Sequence, residues 1–232
     1  MNNNIKLISI IIPVRNEATI IEQNLQHSLN FFNALKISYE LLVVDSASTD
    51  ETPIILKKFI DRIKIITLTQ PGKGRAIKAG VLQAKGDWIL FYDADLSTPL
   101  EEICNFLPAI YNFDIIIGSR ALERKLVTVH QVRWKELLGR AGNFLIQLVL
   151  GLKIKDTQCG FKLFNRRAAE IFSELKNNNW GFDFEFLYLA KKKGLRIKEL
   201  PVRWSNRSQS QVKKSDYLRV CAEVFKVRFG KK

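Results

Sequence analysis

Short apolar runs alternate with segments of helical period through the first half of the chain. Five of these runs are rich in β-branched or aromatic residues and have the length of strands. They cover residues 5–13, 39–44, 64–68, 88–92 and 114–118. The segments between them predict helices that end near residues 32, 59, 84 and 111. This strict alternation predicts an α/β fold with a mostly parallel, doubly wound central sheet.

Polar residues follow the ends of four of the five predicted strands. In a parallel sheet these ends meet at one edge, which is where open α/β folds bind ligands. A candidate site should therefore form there from residues that are far apart in the chain. These residues are Asn16, Glu17, Asp45, Asp93, Asp95 and Arg120.

Asp93 and Asp95 directly follow the buried-type run WILFY. Side chains at positions i and i+2 of an extended segment point the same way, so the two carboxylates can converge. Converging carboxylates repel each other unless a cation or a proton lies between them. A hard divalent ion, completed by phosphate oxygens of a substrate, fits this geometry. The alternative, a pair that only caps the next helix, does not explain the other polar strand ends.

The pattern changes in the second half of the chain. Residues 121–133 are predicted to form a mobile polar connection, 156–162 a compact polar loop, and 195–202 a strand. Helices are predicted at 134–150, near 167–175, from about 180 to 193, and at 217–229. We predict one domain over residues 1–204, with a basic loop and an amphipathic C-terminal helix at 205–232 as its appendage.

The positive charge is concentrated near the C-terminus. Residues 191–232 contain fourteen Lys and Arg against three acidic residues, a net charge of +11 out of the total of +14. A basic surface of this kind attracts anionic lipids, nucleic acids or phosphorylated substrates. Its charge alone does not choose among them.

Several functional classes are not supported by the sequence. The segment PGKGRA lacks the spacing of a P-loop, although Lys73 and Arg75 in it can lie beside a nucleotide. The only two histidines, His27 and His130, have no nucleophile nearby in sequence. Asp93 and Asp95 are too close for the paired acids of a glycosidase. The three cysteines form no CxxC motif, and no apolar stretch is long enough to cross a bilayer, so we expect a cytoplasmic location.

Six motifs occur in order along the chain. They are PVRNE (13–17), VVDSASTDET (43–52), GKGRAIKAG (72–80), DADLSTP (93–99), IIGSR (116–120) and DTQCGFKLF (156–164). Together these motifs resemble inverting family 2 glycosyltransferases, and the resemblance covers roughly residues 7–205. They are most similar to the polyprenyl-phosphate branch typified by dolichyl-phosphate glucosyltransferase and dolichyl-phosphate mannose synthase. The motif DTQCGFKLF is the most specific to this branch and favours its glucosyl side.

The resemblance implies a Rossmann-like nucleotide-diphospho-sugar transferase fold (GT-A), with residues 1–204 as the catalytic domain. It also implies a Mg²⁺ or Mn²⁺ ion on Asp93 and Asp95, with Asp95 as its principal ligand. Asp93 would in addition contact the nucleotide. One position departs from the family, which often has a second acid after Asp45 where this chain has Ser46. The residues implied for the base and ribose are Pro13, Asn16, Glu17 and Asp45.

The acceptor in this branch is a lipid monophosphate, which is already an anion and needs positive charge more than a base. Guanidinium groups bind phosphate oxygens in a bidentate manner. Arg120 is the strongest candidate because it follows a strand, and a solvated role is the alternative for the others. Asp183 and Glu185 are either a base for a hydroxyl acceptor or an anchor for the start of a helix. The candidate phosphate-binding residues are Arg120, Arg133, Arg140, Arg207 and Lys213.

The resemblance, together with the strand-end residues, implies an inverting hexosyltransferase in which Asp93, Asp95 and Arg120 carry catalysis. We expect transfer of glucose from UDP-glucose to a polyprenyl or dolichyl phosphate. The amphipathic helices at 134–150 and 217–229 predict peripheral attachment to the cytoplasmic face of a membrane, with ordinary packing against the sheet as the alternative. Other readings are a GDP-mannose donor, a saccharide hydroxyl acceptor, or a non-catalytic nucleotide- or nucleic-acid-binding protein. The sequence has no RNA-binding motif with interleaved aromatic residues, so we expect no nucleic-acid partner.

Overall fold

The computed structural model describes residues 5–129, 132–206 and 214–230, with only the backbone for Arg133 and residues 214–218. Nine strands occur in these ranges. They are β1 (Ile8–Val14), β2 (Tyr39–Ser46), β3 (Lys64–Leu68), β4 (Trp88–Tyr92), β5 (Ile115–Ser119), β6 (Val127–Val129), β7 (Phe161–Asn165), β8 (Ile197–Pro201) and β9 (Trp204–Ser205).

Eight α-helices flank the strands within the same ranges. They are α1 (Ile21–Ala34), α2 (Thr52–Lys57), α3 (Lys73–Gln83), α4 (Ile103–Phe106), α5 (Arg133–Leu150), α6 (Arg166–Ala169), α7 (Phe182–Lys192) and α8 (Lys214–Phe229). None of the helices described combines the length with the apolar content needed to span a bilayer.

Seven strands form the central sheet in the order β3-β2-β1-β4-β7-β5-β8. All neighbouring pairs are parallel except those of β7, which runs antiparallel to both β4 and β5. The prediction of a mostly parallel α/β sheet is confirmed. The carboxyl ends of β1, β2, β4 and β5 consequently lie along one edge, as the strand pattern requires.

The apolar alternation along the strands divides the core into two layers, one on each face of the sheet. In β1, Ile10 and Ile12 contribute to one layer and Ile11 to the other, because successive side chains point to opposite faces. The side chains of Phe91, Phe164 and Phe182 fill the layer beneath α3 and α7. Burial on both faces explains why the strands are almost continuously apolar.

Three predictions about local structure are wrong. The continuous helix expected at 100–111 is broken into two 3₁₀ turns around the short α4, because Pro108 cannot donate to the preceding turn. Residues 124–129 form a 3₁₀ turn and β6 instead of an irregular connection, and β6 pairs with β9. The compact polar loop predicted at 156–162 ends at residue 160, because Phe161 and Lys162 begin β7.

The C-terminal helix α8 packs against α5 and α7. Val224 on α8 is fully buried in the core layer that also contains Phe182. The helix is thus joined to the body of the structure by an apolar contact. The division at residue 204 into a domain and an appendage stays a prediction about organisation.

Candidate active site

The ends of β1 and β2 are joined by the side chain of Asn16. Its backbone has a φ of +54°, a left-handed conformation that asparagine tolerates better than most residues. Its N–H donates to Ser48 Oγ at 3.0 Å, and its Oδ1 accepts from the Thr49 N–H at 2.8 Å. The buried Asp45 accepts from the Ser48 N–H at 3.1 Å. Pro13 pairs in register with Val44 on β2, next to Asp45. The structure therefore brings Pro13, Asn16 and Asp45 together at one corner.

Glu17 lies close to the two aspartates of the DADLSTP motif. Burial, followed by the charges of Asp95 and Asp93, raises its pKa from 4.5 to about 7. Its backbone N–H is held by Thr52 Oγ1 at 2.9 Å. The negative charges that follow β4 thus act on the carboxyl group that follows β1, and this repulsion favours a cation or a proton between them.

Asp93 and Asp95 occupy a tight turn after β4. Asp95 Oδ1 accepts from the Ser97 N–H at 2.9 Å. Leu96, the residue between Asp95 and Ser97, has a φ of +52°. The backbone of Gly160 approaches Asp93 so closely that a Cβ on Gly160 would overlap the carboxylate. This glycine, from the loop before β7, therefore belongs to the floor of the site.

Lys73, the first residue of α3, pairs with Asp93. Its Nζ lies 2.5 Å from Asp93 Oδ1 and 5.3 Å from the centre of the Trp180 ring. Burial opposes the charge on Lys73, but the carboxylates of Asp93 and Asp183 outweigh it and raise the pKa of the amine. Arg75 instead directs its Nη1 to Gln70 Oε1 at 2.8 Å. The predicted contact of Lys73 and Arg75 with the nucleotide-sugar stays a prediction.

The contacts of Ser46 explain why a serine can occupy the position where the family often has an acid. Its Oγ accepts from the Gly72 N–H at 2.9 Å and so holds the turn that precedes Lys73. Gly72 has a φ of +150°, and a Cβ there would lie 2.5 Å from the Asn178 carbonyl oxygen. The serine thus binds the Lys73 turn, where an acid would add a further negative charge.

Arg120 makes a bidentate ion pair with Asp156. Its Nε and Nη2 lie 2.7 Å and 2.8 Å from the two carboxylate oxygens, and its backbone N–H donates to Oδ2 at 3.0 Å. The guanidinium also lies 5.5 Å from the centre of the Trp204 ring. Burial opposes ionisation of Asp156, but Arg120 outweighs it and lowers the pKa of that carboxyl. Arg120 is thus fixed at the end of β5.

Asn143 on α5 fixes the loop that carries Asp156. Its Nδ2 donates to the Lys155 carbonyl at 2.7 Å, and its Oδ1 accepts from Thr157 Oγ1 at 2.8 Å. Neither Asn143 nor Asp156 was among the predicted site residues. The DTQCGFKLF motif was the available signal for Asp156, whereas nothing in the helical pattern of α5 indicated Asn143.

Lys162 and Asp183 form a buried ion pair beneath the site. The Lys162 Nζ lies 2.5 Å from Asp183 Oδ1 and donates to the Cys159 carbonyl at 2.6 Å. Both side chains are almost completely buried, at 0% and 3% exposed. Burial raises the pKa of Asp183, opposed by the positive charges of Lys162 and Lys73. Lys162 therefore holds the turn that presses Gly160 against Asp93.

Asp183 and Glu185 both have structural partners, which favours the anchoring role among the two roles left open by the sequence. Glu185 accepts from the backbone N–H groups of Lys176 and Asn177, at 3.0 Å and 2.8 Å. A general base has to reach the proton of its substrate. The contacts of these two acids are those of helix and loop anchors.

The described structure does not place the other four predicted phosphate-binding residues at the strand-end edge. Arg140 is exposed on α5. Arg133 begins α5, with its side chain outside the described part of the structure, and Arg207 and Lys213 lie wholly outside it. Of the five predicted residues, the described structure fixes only Arg120 at the strand-end edge. The roles of the other four stay predictions.

The donor set of the site suits a hard divalent ion. Carboxylate oxygens of Asp93 and Asp95 are the ligands that Mg²⁺ and Mn²⁺ prefer. Within the described ranges no three His, Cys, Asp or Glu side chains are grouped as a complete metal cage. A metal here would therefore need oxygen atoms from a substrate, as nucleotide-binding magnesium sites commonly do.

Comparison with known proteins identifies the family. A model described as "Glycosyl transferase family 2" matches residues 9–172. The chain belongs to this family. The match includes Asn16, Asp45, Asp93, Arg120 and Asp156. The predicted membership of glycosyltransferase family 2 and the predicted enzyme class are confirmed.

Two curated relatives of this family 2 glycosyltransferase cover most of its length. The dolichyl-phosphate beta-glucosyltransferase of Dictyostelium discoideum is 31% identical, over 96% of this chain and 74% of the relative. The human protein of the same name is 34% identical, over 86% of this chain and 68% of the relative. Both names agree with the predicted branch.

Solved structures confirm the fold. Glucosyl-3-phosphoglycerate synthase from Mycobacterium tuberculosis, in complex with Mn²⁺, UDP and phosphoglyceric acid, superposes with a TM-score of 0.73. The match covers 98% of this chain and 80% of that one, at 17% sequence identity. At this identity the likeness concerns the fold alone. The expected nucleotide-diphospho-sugar transferase (GT-A) fold is therefore correct.

Gly160→Ala is expected to lower transferase activity by about 10- to 100-fold. The new Cβ overlaps the Asp93 carboxylate, so Asp93 has to move. Overpacking of this kind costs roughly 1–3 kcal/mol. Steady-state kinetics with the nucleotide-sugar donor measure the effect. Gly139→Ala is the matched control, because a Cβ at Gly139 meets nothing within 4 Å. Equal activities of the two variants would contradict the close approach of Gly160 to Asp93.

The metal-free protein is expected to lose stability as the pH rises through the titration range of Glu17. The folded protein binds the Glu17 proton more tightly than the unfolded chain, so the free energy of unfolding falls between pH 4.5 and about 7. Melting temperatures in a chelator at about pH 5 and about pH 8 test this. The melting temperature of Glu17→Gln should decrease less over this pH range than that of the parent protein. An identical pH dependence of both proteins would reject the raised pKa.

Proposed function

We propose that this family 2 glycosyltransferase transfers glucose from UDP-glucose to a polyprenyl phosphate of the dolichyl type. The observation that carries the proposal is the similarity to dolichyl-phosphate beta-glucosyltransferases over nearly the whole chain. The site supports it, because the carboxylates and the half-buried Arg120 lie at one edge of the sheet. The assignment of individual residues is part of the proposal.

Asp45, Asn16 and Pro13 would bind the nucleoside part of the donor at the corner between β1 and β2. Asp93 and Asp95 would hold the diphosphate through Mg²⁺ or Mn²⁺. The bound ion supplies Lewis-acid stabilisation of the negative charge on the departing nucleoside diphosphate. Lys73 orients Asp93 through their ion pair and adds positive charge beside the leaving group.

The acceptor step needs a fixed cation more than a base. A phosphate monoester oxygen attacks the anomeric carbon as the bond from that carbon to the diphosphate breaks, and the configuration inverts. Arg120 is held by Asp156 through Nε and Nη2, so the acceptor phosphate would contact its Nη1 edge. The anchoring contacts of Asp183 and Glu185 favour a phosphate acceptor over a saccharide hydroxyl.

The proposed membrane contact is the exposed surface formed by α5 and α8. Leu137, Phe144 and Leu148 are 66–70% exposed at helical spacing on α5, and Phe229 at the end of α8 is 70% exposed. An apolar stripe with adjacent basic residues is typical of a helix that lies in a lipid interface. A cavity of about 350 Å³ beside Leu148 is lined by Lys191, Lys192 and Arg228, which suits anionic headgroups. Location on the cytoplasmic face is part of this proposal.

Transfer of radiolabelled sugar into the organic phase tests the proposed reaction. The purified protein is incubated with polyprenyl phosphate and either UDP-glucose or GDP-mannose, with Mn²⁺ or a chelator. We expect lipid-extractable label from UDP-glucose that depends on the metal. Label from GDP-mannose alone would show that the donor is GDP-mannose and not UDP-glucose. Label that enters a water-soluble saccharide instead would reject the lipid acceptor.

A further inference from the structure

The loop at residues 176–181, called here the bracing loop, supports the Lys73 turn from below. The Asn178 carbonyl accepts from the Arg75 N–H at 2.9 Å. The Asn177 carbonyl oxygen lies 2.8 Å from where a Cβ on Gly74 would be, so the two backbones are in direct contact. The ring of Trp180 lies against the Lys73 ammonium group. The position of Lys73 thus depends on this loop.

Two carboxylates hold the bracing loop, one at each end. Glu185 on α7 accepts from the N–H groups of Lys176 and Asn177 at the first end. At the other end, the carboxylate of Glu223 on α8 packs directly against the Gly181 backbone. The contact is close, since a Cβ on Gly181 would overlap Glu223 Oε2. Glu223 is the only one of these groups that comes from the C-terminal helix.

Glu223 is in a costly environment for a carboxylate. Burial raises its pKa, and its Oε2 is buried without a hydrogen-bond partner among the described residues. A partly satisfied buried carboxylate destabilises a fold unless its contact contributes something in return. Here the contact fixes the start of α7 and Trp180, at the point where the bracing loop meets the donor side of the site.

We propose that Glu223 is a positioning residue for the nucleotide-sugar donor. It fixes Gly181 and Trp180, which place Lys73 and through it Asp93. The inference makes α8 part of the donor site, although α8 lies outside the residues matched by the family model. It rests on the proposed donor role of Asp93, whereas the acceptor plays no part in it.

Glu223→Ala is expected to raise the donor KM about tenfold and leave the acceptor KM unchanged, because it removes the contact that holds Gly181 and Trp180 beside Lys73. Glu223→Gln keeps the size of the side chain and its contact with Gly181, so its donor KM should be close to that of the parent. Glu170→Gln, an exposed substitution of the same charge, is the control. Equal increases in both KM values, or none, would overturn the proposal.

A double-mutant cycle with Trp180→Ala separates positioning from a general loss of structure. If Glu223 acts through Trp180, the two substitutions disrupt the same series of contacts. The donor KM of the double variant should then rise about tenfold rather than about 100-fold. Effects of the two substitutions on the donor KM that multiply would overturn the proposal that Glu223 acts through Trp180. Circular dichroism of Glu223→Ala should retain the helix content of the parent. Lost helicity, together with a lower kcat at an unchanged donor KM, would show that Glu223 only holds α8 in place.

Direct binding of UDP with Mn²⁺ distinguishes failure of this inference from failure of the proposed function. Calorimetry should show about tenfold weaker binding of UDP to Glu223→Ala than to the parent, with Glu170→Gln unchanged. This result needs no acceptor, so it would stand even if polyprenyl phosphate were not the substrate. Equal affinities of the parent and Glu223→Ala would overturn the inference while leaving the transfer reaction untouched.

Discussion

Asp95→Asn is expected to reduce turnover about 10³-fold with the fold intact. The substitution removes one of the two carboxylates proposed to hold the metal, and a metal bound there would stabilise the leaving diphosphate by roughly 4 kcal/mol. The asparagine Oδ1 can still accept from the Ser97 N–H, so the turn after β4 should persist. Steady-state transfer rates at saturating donor measure the effect, and melting temperatures establish that the fold is retained.

Asp61→Asn is the matched control for this substitution. Asp61 is exposed and precedes β3, so it lies at the opposite edge of the sheet from Asp95. Asp61→Asn changes the net charge by the same amount as Asp95→Asn, at a position away from the site. Full activity of Asp95→Asn would reject its role as a metal ligand. Equal losses in both variants would indicate that the total charge, not the metal site, controls turnover.

Lys162→Met is expected to lower the free energy of unfolding by about 3 kcal/mol. Removal of one partner of a buried ion pair leaves the other charge unsatisfied in an apolar environment. Asp183 keeps only the more distant influence of Lys73, and the turn that carries Gly160 loses its contact with the lysine. Urea denaturation measures the stability, and donor kinetics should reveal a parallel loss of activity.

The double variant Lys162→Met/Asp183→Leu separates the pair from its surroundings. A buried pair replaced by apolar side chains of similar volume often costs little. We therefore expect the double variant to recover most of the stability lost by Lys162→Met. The loss in Lys162→Met should also shrink at low pH, where Asp183 is protonated. A double variant that is less stable than Lys162→Met would contradict the unpaired charge as the cause.

The predictions that succeeded depend on local patterns. The β3 and β4 boundaries agree with their apolar runs, since burial on both faces requires consecutive apolar residues. The grouping of Asn16, Asp45, Asp93 and Arg120 followed from parallel strand order alone. Chain direction places the ends of such strands at one edge, whatever the loops between them do.

The residues that sequence reasoning missed depend on partners from other elements. Lys162 breaks the apolar run of β7 and reads as a loop residue, but it is buried because Asp183 on α7 neutralises it. Asp156 belongs to the DTQCGFKLF motif, but its partner Arg120 becomes evident only in the folded structure. In each case the deciding interaction joins residues more than twenty positions apart, which no local pattern records.

The sequence by itself determined the family, the α/β class and the edge at which the acidic residues converge. Those properties follow from the spacing of apolar runs and from motifs that are contiguous in the chain. Only the tertiary structure decided that β7 lies antiparallel between β4 and β5, that Gly160 touches Asp93, and that Glu223 reaches Gly181. The physical reason is that long-range packing chooses which buried charges become neighbours, and the energy of each charge depends on its neighbours.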